Sequence, residues 1–177
     1  MNQTTIVNLN KQKLPVILVL DNIRSLYNVG AILRTADACN VEKVVLCGMT
    51  GTDEMKNKTL ARLNKSLGKI EKTAIGAEKS VKWEYRQNCY AYVKTMRSSH
   101  QIISLELTIK AEKYDKTDYQ FPLALIVGHE LKGVDKNILY ISNKIIKLPM
   151  LGEKNSLNVS VATGVALYHL LSYYQRT

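Results

Sequence analysis

Three segments of the chain place polar residues where an apolar, strand-like run ends. They are residues 18–38, 123–135 and 146–171, and each passes from an apolar run into a polar loop. In open α/β sheets, ligands bind outside the carboxyl ends of the strands, so these loops would meet at one edge of a sheet. Three such loops could hold a small molecule largely through backbone groups. The sequence therefore predicts a ligand site built by all three.

The polar side chains in these segments suit positioning and charge stabilisation. Arg34 lies off the apolar face of its predicted helix, where it either reaches a ligand or forms an i, i+3 ion pair with Asp37. Glu130 follows a buried strand, and Ser156 and Asn158 open the last helical pattern. A guanidinium, a carboxylate and an amide can bind and orient polar groups without a metal.

Several common enzyme classes lack their motifs in this chain. No G-x-G-x-x-G run follows a predicted strand, and no G-x-x-x-x-G-K-[ST], G-x-S-x-G or H-E-x-x-H run occurs. A dinucleotide enzyme or a P-loop NTPase is therefore unsupported, and no metal site is expected. The histidines and cysteines are scattered and are expected to be structural, with reduced thiols: His100, His129, His169, Cys39, Cys47 and Cys89.

The composition favours a globular protein with a polyanionic partner. The chain has 177 residues, 46% of them hydrophobic and 23% charged, which is enough for one domain with its own core. Its 25 Lys and Arg against 15 Asp and Glu give a net charge of +10, which favours RNA or DNA before an anionic membrane. The most apolar early run, residues 15–20, is too short for a transmembrane helix or a signal peptide, so a cytoplasmic protein is expected.

Short apolar runs alternate with helical patterns, which predicts an α/β fold with a mostly parallel sheet and helices on both faces. Apolar residues recur with helical spacing from Val29 to Ala36, so a helix is expected over Gly30–Cys39 with Asn28 as its N-cap. The six candidate strands are Pro15–Leu20, Lys43–Cys47, Val81–Tyr85, Gln101–Glu106, Leu123–Val127 and Lys144–Leu148.

A further helical pattern, over residues 53–77, carries a basic stripe. Its apolar positions fall on one side of the predicted helix and its basic positions on the other. We expect the basic side to bind the phosphate backbone of a nucleic acid, and the alternative is a solvated face without a ligand. Gly68 could split the pattern into two helices. The basic residues are Lys58, Arg62, Lys65, Lys69 and Lys72.

The last segment, residues 156–175, is too apolar for a helix with one exposed polar face. One side of this helix can cover the sheet, and the other side needs a partner. Gly164 would allow another backbone to approach closely. The segment therefore predicts a subunit interface.

The three polar segments together resemble the motifs of the SpoU/TrmH branch of the SPOUT methyltransferases. They contain the runs N-x-x-S-x-x-N-V-G-A-I-x-R-T-A-D-A, V-G-x-E-x-x-G-V and P-M-x-G-x-x-x-S-L-N-V-S-V-A, in the order of that family. A fourth stretch, residues 72–85, also resembles the segment between the family's first two motifs. The resemblance covers nearly the whole chain, and three motifs in order are a highly specific match.

This resemblance implies a methyltransferase that uses S-adenosylmethionine to methylate the ribose 2′-hydroxyl of tRNA or rRNA. It also implies a deep trefoil knot in the C-terminal part and a homodimer formed through the knot and the final helix. Residues 1–177 would form a single SPOUT methyltransferase domain without an appended RNA-binding domain. The alternatives are a catalytically inactive RNA-binding protein, a base-modifying SPOUT enzyme and a methyltransferase for small molecules or proteins.

Motif matching assigns roles to individual residues. Arg34 is expected to grip an RNA phosphate and the hydroxyl and to stabilise negative charge, because a guanidinium is a poor general base. Asn28 would orient that arginine or the ribose. Glu130 and Asn158, with Ser156 beside them, would hold the loops and the nucleotide or serve the structure alone. The residues expected to line the S-adenosylmethionine site, mainly through backbone contacts, are Leu105, Val127, Gly128, Leu148, Met150 and Leu157.

Overall fold

The described residues form one parallel sheet. The computed structural model describes residues 12–51 and 68–177. The strands are β1 (Leu14–Asp21), β2 (Val41–Cys47), β3 (Trp83–Arg86), β4 (Gln101–Leu105), β5 (Glu112–Lys113), β6 (Leu123–Val127) and β7 (Lys144–Lys147). These seven strands lie in the order β3-β2-β1-β6-β4-β7-β5, and every neighbouring pair is parallel.

The prediction of a six-stranded sheet is wrong, because the described residues form a sheet of seven strands. The additional strand, β5, consists of two exposed charged residues that pair with β7 at the edge of the sheet. Such a strand has no apolar alternation, so the sequence pattern could not reveal it. The other six predicted strands are confirmed, with each end within two residues of its expected position.

Helices pack on both faces of the sheet. They are α1 (Leu26–Ala38), the helical residues 68–74 (α2), α3 (Ala77–Ser80), α4 (Cys89–Met96), α5 (Lys136–Ile141) and α6 (Val159–Tyr174). Successive residues of β1 face opposite sides, as the pleat requires. Leu18 packs with Leu33 of α1 and Leu167 of α6, whereas Val19 packs with Val93 of α4. The sheet therefore separates two hydrophobic layers.

The start of α1 lies earlier than the apolar pattern predicts. Ser25 is the N-cap, and its Oγ accepts a hydrogen bond from the Asn28 N–H at 3.3 Å. Asn28 lies inside the first turn, so its assignment as N-cap and the predicted start at Gly30 are both wrong. The first turn carries the polar Asn28, but Leu26 lies three residues before Val29 and packs against the core. Leu26 and the Ser25 cap are the signals of the earlier start.

Close packing joins α2 to α1. A Cβ atom at Gly30 would clash with Thr73 Oγ1 and with the Ile70 carbonyl oxygen, so this approach requires glycine. Thr73 Oγ1 also donates a hydrogen bond to the Tyr27 carbonyl at 3.0 Å. α2 is thereby fixed beside the first turn of α1.

Of the basic helical pattern over residues 53–77, the structure describes residues 68–77. Residues 68–74 are helical, and the positive φ angles of Ile75 (51°) and Gly76 (94°) end the helix there. The predicted end at residue 77 is therefore too late. Lys58, Arg62 and Lys65 lie outside the described residues.

The last helix, α6, has one buried and one exposed apolar side. Leu167 and Leu170 are fully buried in the layer that contains α1. Val161, Val165 and Tyr168 are 52%, 40% and 54% exposed, respectively, and their spacing puts them on one stripe. The prediction of apolar residues on two sides of this helix is confirmed.

The N-terminus of α6 is also later than expected. Asn158 is its N-cap and accepts a hydrogen bond from the Ser160 N–H at 2.8 Å, so the predicted start at Ser156 is wrong. A Cβ at Gly164 would lie 3.8 Å from Thr35 of α1, an ordinary contact, so among the described residues this glycine serves no close approach. Among the helices described, none has the length and apolar character needed to cross a membrane.

Candidate active site

The carboxyl ends of β6, β4 and β7 surround a cavity of about 600 Å³, here named the β4–β6–β7 cavity. These strands are neighbours in the sheet, so the loops that follow them meet. The residues predicted to hold a methyl donor all line this cavity: Leu105, Val127, Gly128, Leu148, Met150 and Leu157. Their contact with a donor stays a prediction.

The loop after β6 folds tightly against itself. His129 and Gly133 exchange two backbone hydrogen bonds, of 3.1 Å and 2.8 Å. A Cβ at Gly128 would clash with the backbone of Gly133 and of Val134. Position 128 therefore requires glycine, and its bare backbone forms part of the cavity wall.

Glu106 is a site residue that the sequence reasoning missed. Its Oε2 accepts a hydrogen bond from the Val134 N–H and its Oε1 accepts one from the Leu107 N–H, both at 2.8 Å. The carboxylate thus fastens the loop after β4 to the loop after β6, and it lines the cavity. Glu106 directly follows β4. A polar residue just after a strand was the reason for predicting Glu130, and the same reason would have predicted Glu106.

Three predicted polar residues from three separate segments form one hydrogen-bonded chain. Asn158 Nδ2 donates to Asn28 Oδ1 at 3.2 Å, and Asn28 Nδ2 donates to Glu130 Oε1 at 3.1 Å. Glu130 also accepts hydrogen bonds from the backbone N–H groups of Ser25 at 3.0 Å and Arg24 at 3.2 Å. The predicted convergence of the three segments is therefore confirmed, while the catalytic roles of these residues stay predictions.

The hydrogen bonds to Glu130 favour its ionised form. Burial alone would raise the pKa of Glu130. Hydrogen bonds from its own N–H, from the Ser25 and Arg24 N–H groups and from the Asn28 amide outweigh burial and bring the pKa below its ordinary value. Glu130 is therefore a fixed negative charge that orders the loop before α1.

A second cavity, of about 520 Å³, lies between the start of α1 and α2 and is here named the α1–α2 cavity. Its lining includes Arg24, Tyr27, Asn28 and Lys69. His129, Glu130 and Leu131 line both cavities. The loop after β6 is therefore the partition between them.

The ring of His129 has a defined tautomer. The Leu131 N–H donates a hydrogen bond to His129 Nδ1 at 3.0 Å. Since Nδ1 is an acceptor, the proton of the neutral ring lies on Nε2. His129 therefore offers an N–H donor at the partition rather than a free basic nitrogen.

Arg34 lies apart from the other predicted polar residues. Its side chain is exposed, and among the described residues it has neither a hydrogen bond nor an ion pair with another side chain. The alternative ion pair with Asp37 is not formed, and Asp37 instead accepts a hydrogen bond from Ser80 Oγ at 2.5 Å. As formed by the described residues, neither cavity includes Arg34, whereas Ser156 lines the β4–β6–β7 cavity.

Two of the lysines predicted to bind RNA and all three cysteines lie in the described part of the chain. Lys69 lines the α1–α2 cavity, and Lys72 is exposed on α2. Cys39, Cys47 and Cys89 are buried and free. Within residues 12–51 and 68–177, no group of three or more His, Cys, Asp or Glu side chains is arranged to hold a metal ion.

Comparisons with known proteins agree with this architecture. The model of the SpoU rRNA Methylase family matches residues 15–168. The tRNA (guanosine(18)-2′-O)-methyltransferase of Aquifex aeolicus is 32% identical over 160 residues, which cover 90% of this chain and 70% of that protein. The 23S rRNA (guanosine-2′-O-)-methyltransferase RlmB of Haemophilus influenzae is 33% identical over 163 residues, which cover 92% of this chain and 61% of that protein.

A solved structure has a similar fold. The crystal structure of the A. aeolicus TrmH/SpoU tRNA modifying enzyme superimposes with a TM-score of 0.78 at 30% identity, covering 94% of this chain and 78% of that one. The family model extends from β1 into α6, so it includes the first two polar segments in full and the third as far as residue 168. The chain belongs to the SpoU rRNA methylase family.

Proposed function

We propose that this protein transfers a methyl group from S-adenosylmethionine to the ribose 2′-hydroxyl of a tRNA or an rRNA. The observation that carries the proposal is the Asn158–Asn28–Glu130 chain of hydrogen bonds at the partition between two cavities. The relatives from Aquifex and Haemophilus bear the names of guanosine 2′-O-methyltransferases. A net charge of +10 suits a polyanionic substrate.

The β4–β6–β7 cavity has the size and the walls for S-adenosylmethionine. Its volume of about 600 Å³ falls inside the usual range for ligand sites. Leu105, Leu148 and Leu157 supply apolar walls, and Gly128 leaves backbone groups open to a ligand. When bound there, S-adenosylmethionine supplies an activated methyl group.

The two asparagines at the partition would position the acceptor ribose. Each side-chain amide has two N–H donors. Asn158 uses one of them on Asn28, and Asn28 uses one of its own on Glu130. Each residue keeps one N–H that can bind a ribose oxygen and align it with the methyl group.

Neither Glu130 nor His129, which line both cavities, suits the role of proton acceptor. Glu130 already accepts three N–H hydrogen bonds, and the acceptor nitrogen of His129 is bound to the Leu131 N–H. Stabilisation of the developing oxyanion by Arg34, with loss of the proton to water, remains consistent with these contacts.

Arg34 would act in the site of a second copy of the chain. Its exposed guanidinium lies on α1, which packs against α6, and α6 presents the apolar stripe of Val161, Val165 and Tyr168. A homodimer formed over that stripe would bury it and bring α1 of one copy near the cavities of the other. The dimer therefore supplies the residue that the single chain leaves outside both cavities.

The proposal also includes a knot, RNA binding by the domain surface and a cytoplasmic location. One of these features is a deep trefoil knot in the C-terminal part of the chain, which rests on the resemblance of the three polar segments to the family's motifs. The surface of the described domain would bind RNA, in the cytoplasm. A crystal structure with S-adenosylmethionine bound, traced continuously through residues 123–177, tests the knot.

Methyl transfer can be measured directly. Purified protein is incubated with radiolabelled S-adenosylmethionine and total RNA from cells that lack the gene, and the RNA is digested to nucleosides. We expect label in a 2′-O-methylnucleoside, and a fall of about 100-fold for Asn158→Ala. Asn137→Ala, at an exposed position on α5, is the matched control.

The products separate the alternative activities. Label in a base-methylated nucleoside would indicate a base-modifying enzyme. Tight RNA binding without transfer, and without heat on titration with S-adenosylmethionine, would indicate an inactive RNA-binding protein. Either result contradicts the proposal.

Mixed dimers test where Arg34 acts. Arg34→Ala and Asn158→Ala chains with different affinity tags are co-expressed, and the heterodimer is purified. If Arg34 acts in the site of the other copy, one of the two sites keeps both residues and about half of the wild-type rate remains. If both residues act within one chain, each site lacks one of them and the heterodimer is inactive.

A further inference from the structure

We propose that the α1–α2 cavity binds the nucleotide that is methylated, with Tyr27 as the surface on which its base stacks and Arg24 and Lys69 as contacts to its neighbouring phosphates. This inference rests on the proposed function, and it names the residues that recognise the acceptor. None of the three matches the polar residues of the family motifs described above.

The position of the α1–α2 cavity suits an acceptor. It shares His129, Glu130 and Leu131 with the β4–β6–β7 cavity, so a ribose held at this partition faces both cavities. Asn28 also lines it and is hydrogen-bonded to Asn158 of the other cavity. A nucleotide in the α1–α2 cavity therefore places its sugar next to the site proposed for the methyl donor.

Tyr27 is an exposed aromatic residue on a fixed backbone. It lies in the first turn of α1, its carbonyl accepts the hydrogen bond from Thr73, and 47% of the residue is exposed. No hydrogen bond to its hydroxyl is formed within the described part of the chain. A half-exposed aromatic ring on a fixed backbone is what base stacking requires.

The charges around the cavity suit phosphate groups. Arg24 and Lys69 both line it and come from different elements, the loop before α1 and α2. The carboxylate of Glu130 is turned to backbone N–H groups and the Asn28 amide. Lys69 is also one of the basic residues predicted to bind the RNA backbone.

Tyr27 variants test the stacking surface. The kcat/KM for total RNA from cells lacking the gene is measured for Tyr27→Ala, Tyr27→Phe and Tyr140→Ala. Stacking on one base predicts a fall of roughly 5- to 150-fold for Tyr27→Ala. Tyr27→Phe keeps the ring and should stay near wild type. Tyr140 is 89% exposed on α5 and lines neither cavity, so Tyr140→Ala controls for loss of a surface tyrosine.

A second measurement tests the phosphate contacts. The affinity for the same RNA is measured as a function of salt for Arg24→Gln/Lys69→Gln and for Lys94→Gln/Lys136→Gln. The first pair should reduce the slope of log K against log salt by about 1 to 2. The second pair changes the net charge equally but lies on α4 and α5, and it should leave the slope near wild type.

The outcomes distinguish the two proposals. S-adenosylmethionine affinity, measured by calorimetry, should be unchanged in every variant, which also shows that each variant is folded. Transfer by the wild type with Tyr27→Ala within twofold of it would overturn this inference and leave the proposed function standing. Absence of ribose methylation by the wild type would overturn both.

Discussion

At the scale of single residues, two carboxylates near the carboxyl ends of the strands have opposite electrostatic environments. Glu130 accepts several N–H hydrogen bonds, and its pKa is lowered. Burial raises the pKa of Asp21 at the end of β1, and hydrogen bonds from Asp135, Cys89 and Asn22 offset burial only in part. Hydrogen-bond donors rather than position at a strand end therefore decide which carboxylate is stabilised as an anion.

We expect Glu130→Gln to destabilise the protein by about 1–2 kcal/mol at neutral pH, because a carboxamide cannot replace all of its N–H acceptor sites. A carboxyl group with a lowered folded pKa stabilises the fold above its ordinary pKa and loses that contribution as pH falls through the folded value. The difference between wild type and variant should therefore shrink below the ordinary pKa of 4.5. Urea unfolding at several pH values measures it.

The control for this prediction is Asp21→Asn. Since the folded pKa of Asp21 is raised, its contribution to stability is present below the ordinary value of 3.8 and lost as pH rises through the folded value. The variant should therefore gain stability relative to wild type as pH rises. The same pH trend for both variants would contradict the assigned environments.

The residues of the site differ in how far the sequence could predict them. Gly128, Glu130 and Asn158 follow strands or open a helix, and their strand-end position is visible in the pattern. Tyr27 has no such signal, because an exposed aromatic residue in the first turn of a helix becomes a candidate only when the structure shows α2 packed beside it. Arg34 was found by motif matching, and it lines neither cavity of the described chain.

At the scale of elements, the contact between α1 and α2 shapes the α1–α2 cavity. Gly30 permits the close approach of the two helices, and Thr73 of α2 is hydrogen-bonded to the Tyr27 carbonyl of α1. Tyr27 and Lys69, which line the cavity, therefore lie on two helices that are packed against each other.

We expect Gly30→Ala to destabilise the protein by about 1–3 kcal/mol, although alanine is the better helix former. The added Cβ meets the Ile70 carbonyl, which belongs to the backbone and cannot move aside as a side chain can. Gly152→Ala, whose added Cβ would meet no described atom within 4 Å, should instead change the stability by less than about 0.5 kcal/mol. Thermal unfolding compares the two, and equal shifts would contradict the packing argument.

Element boundaries were less predictable than element order. The alternation of strands and helices follows from apolar periodicity, and six of the seven described strands were found in this way. The polar edge strand β5 and the early start of α1 escaped because backbone pairing and the Ser25 cap determine them. Periodicity reports burial, so it cannot detect elements or turns that are not buried.

The aromatic cluster around His169 makes α6 sensitive to pH. The ring lies 4.9 Å from Tyr114 and 5.7 Å from Tyr119, and within the described residues its buried Nε2 has no hydrogen-bond partner. Burial and then the charge of Arg176 lower the pKa of His169, and Asp115 opposes them. The charged ring is therefore disfavoured in the folded state.

We expect His169→Phe to become progressively more stable than wild type as pH falls below the ordinary histidine pKa of 6.5. A lowered folded pKa means that the unfolded chain binds the proton more readily, so wild-type stability falls with pH in this range. Unfolding in denaturant from about pH 7.5 to about pH 5.5 measures the difference. A constant difference would show that His169 does not titrate on unfolding.

At the scale of the whole molecule, the two layers of the sheet have different surfaces. The layer with α1, α2 and α6 carries the α1–α2 cavity, Lys69 and the exposed stripe of Val161, Val165 and Tyr168. The proposed RNA contacts and the proposed dimer interface therefore lie on the same side of the sheet.

We expect Val165→Glu to convert the dimer to a monomer, because an unpaired carboxylate buried in an apolar interface costs several kcal/mol. Sedimentation velocity should show one species at twice the chain mass for wild type and for the control Tyr140→Glu, and at the chain mass for Val165→Glu. The monomer should still bind S-adenosylmethionine, since the cavity proposed to hold it lies within one chain, but it should lose methyl transfer if Arg34 acts in the other copy as proposed. A monomeric variant that methylates RNA at the wild-type rate would show that each chain carries a complete site, and a monomeric wild type would remove the dimer from the mechanism altogether.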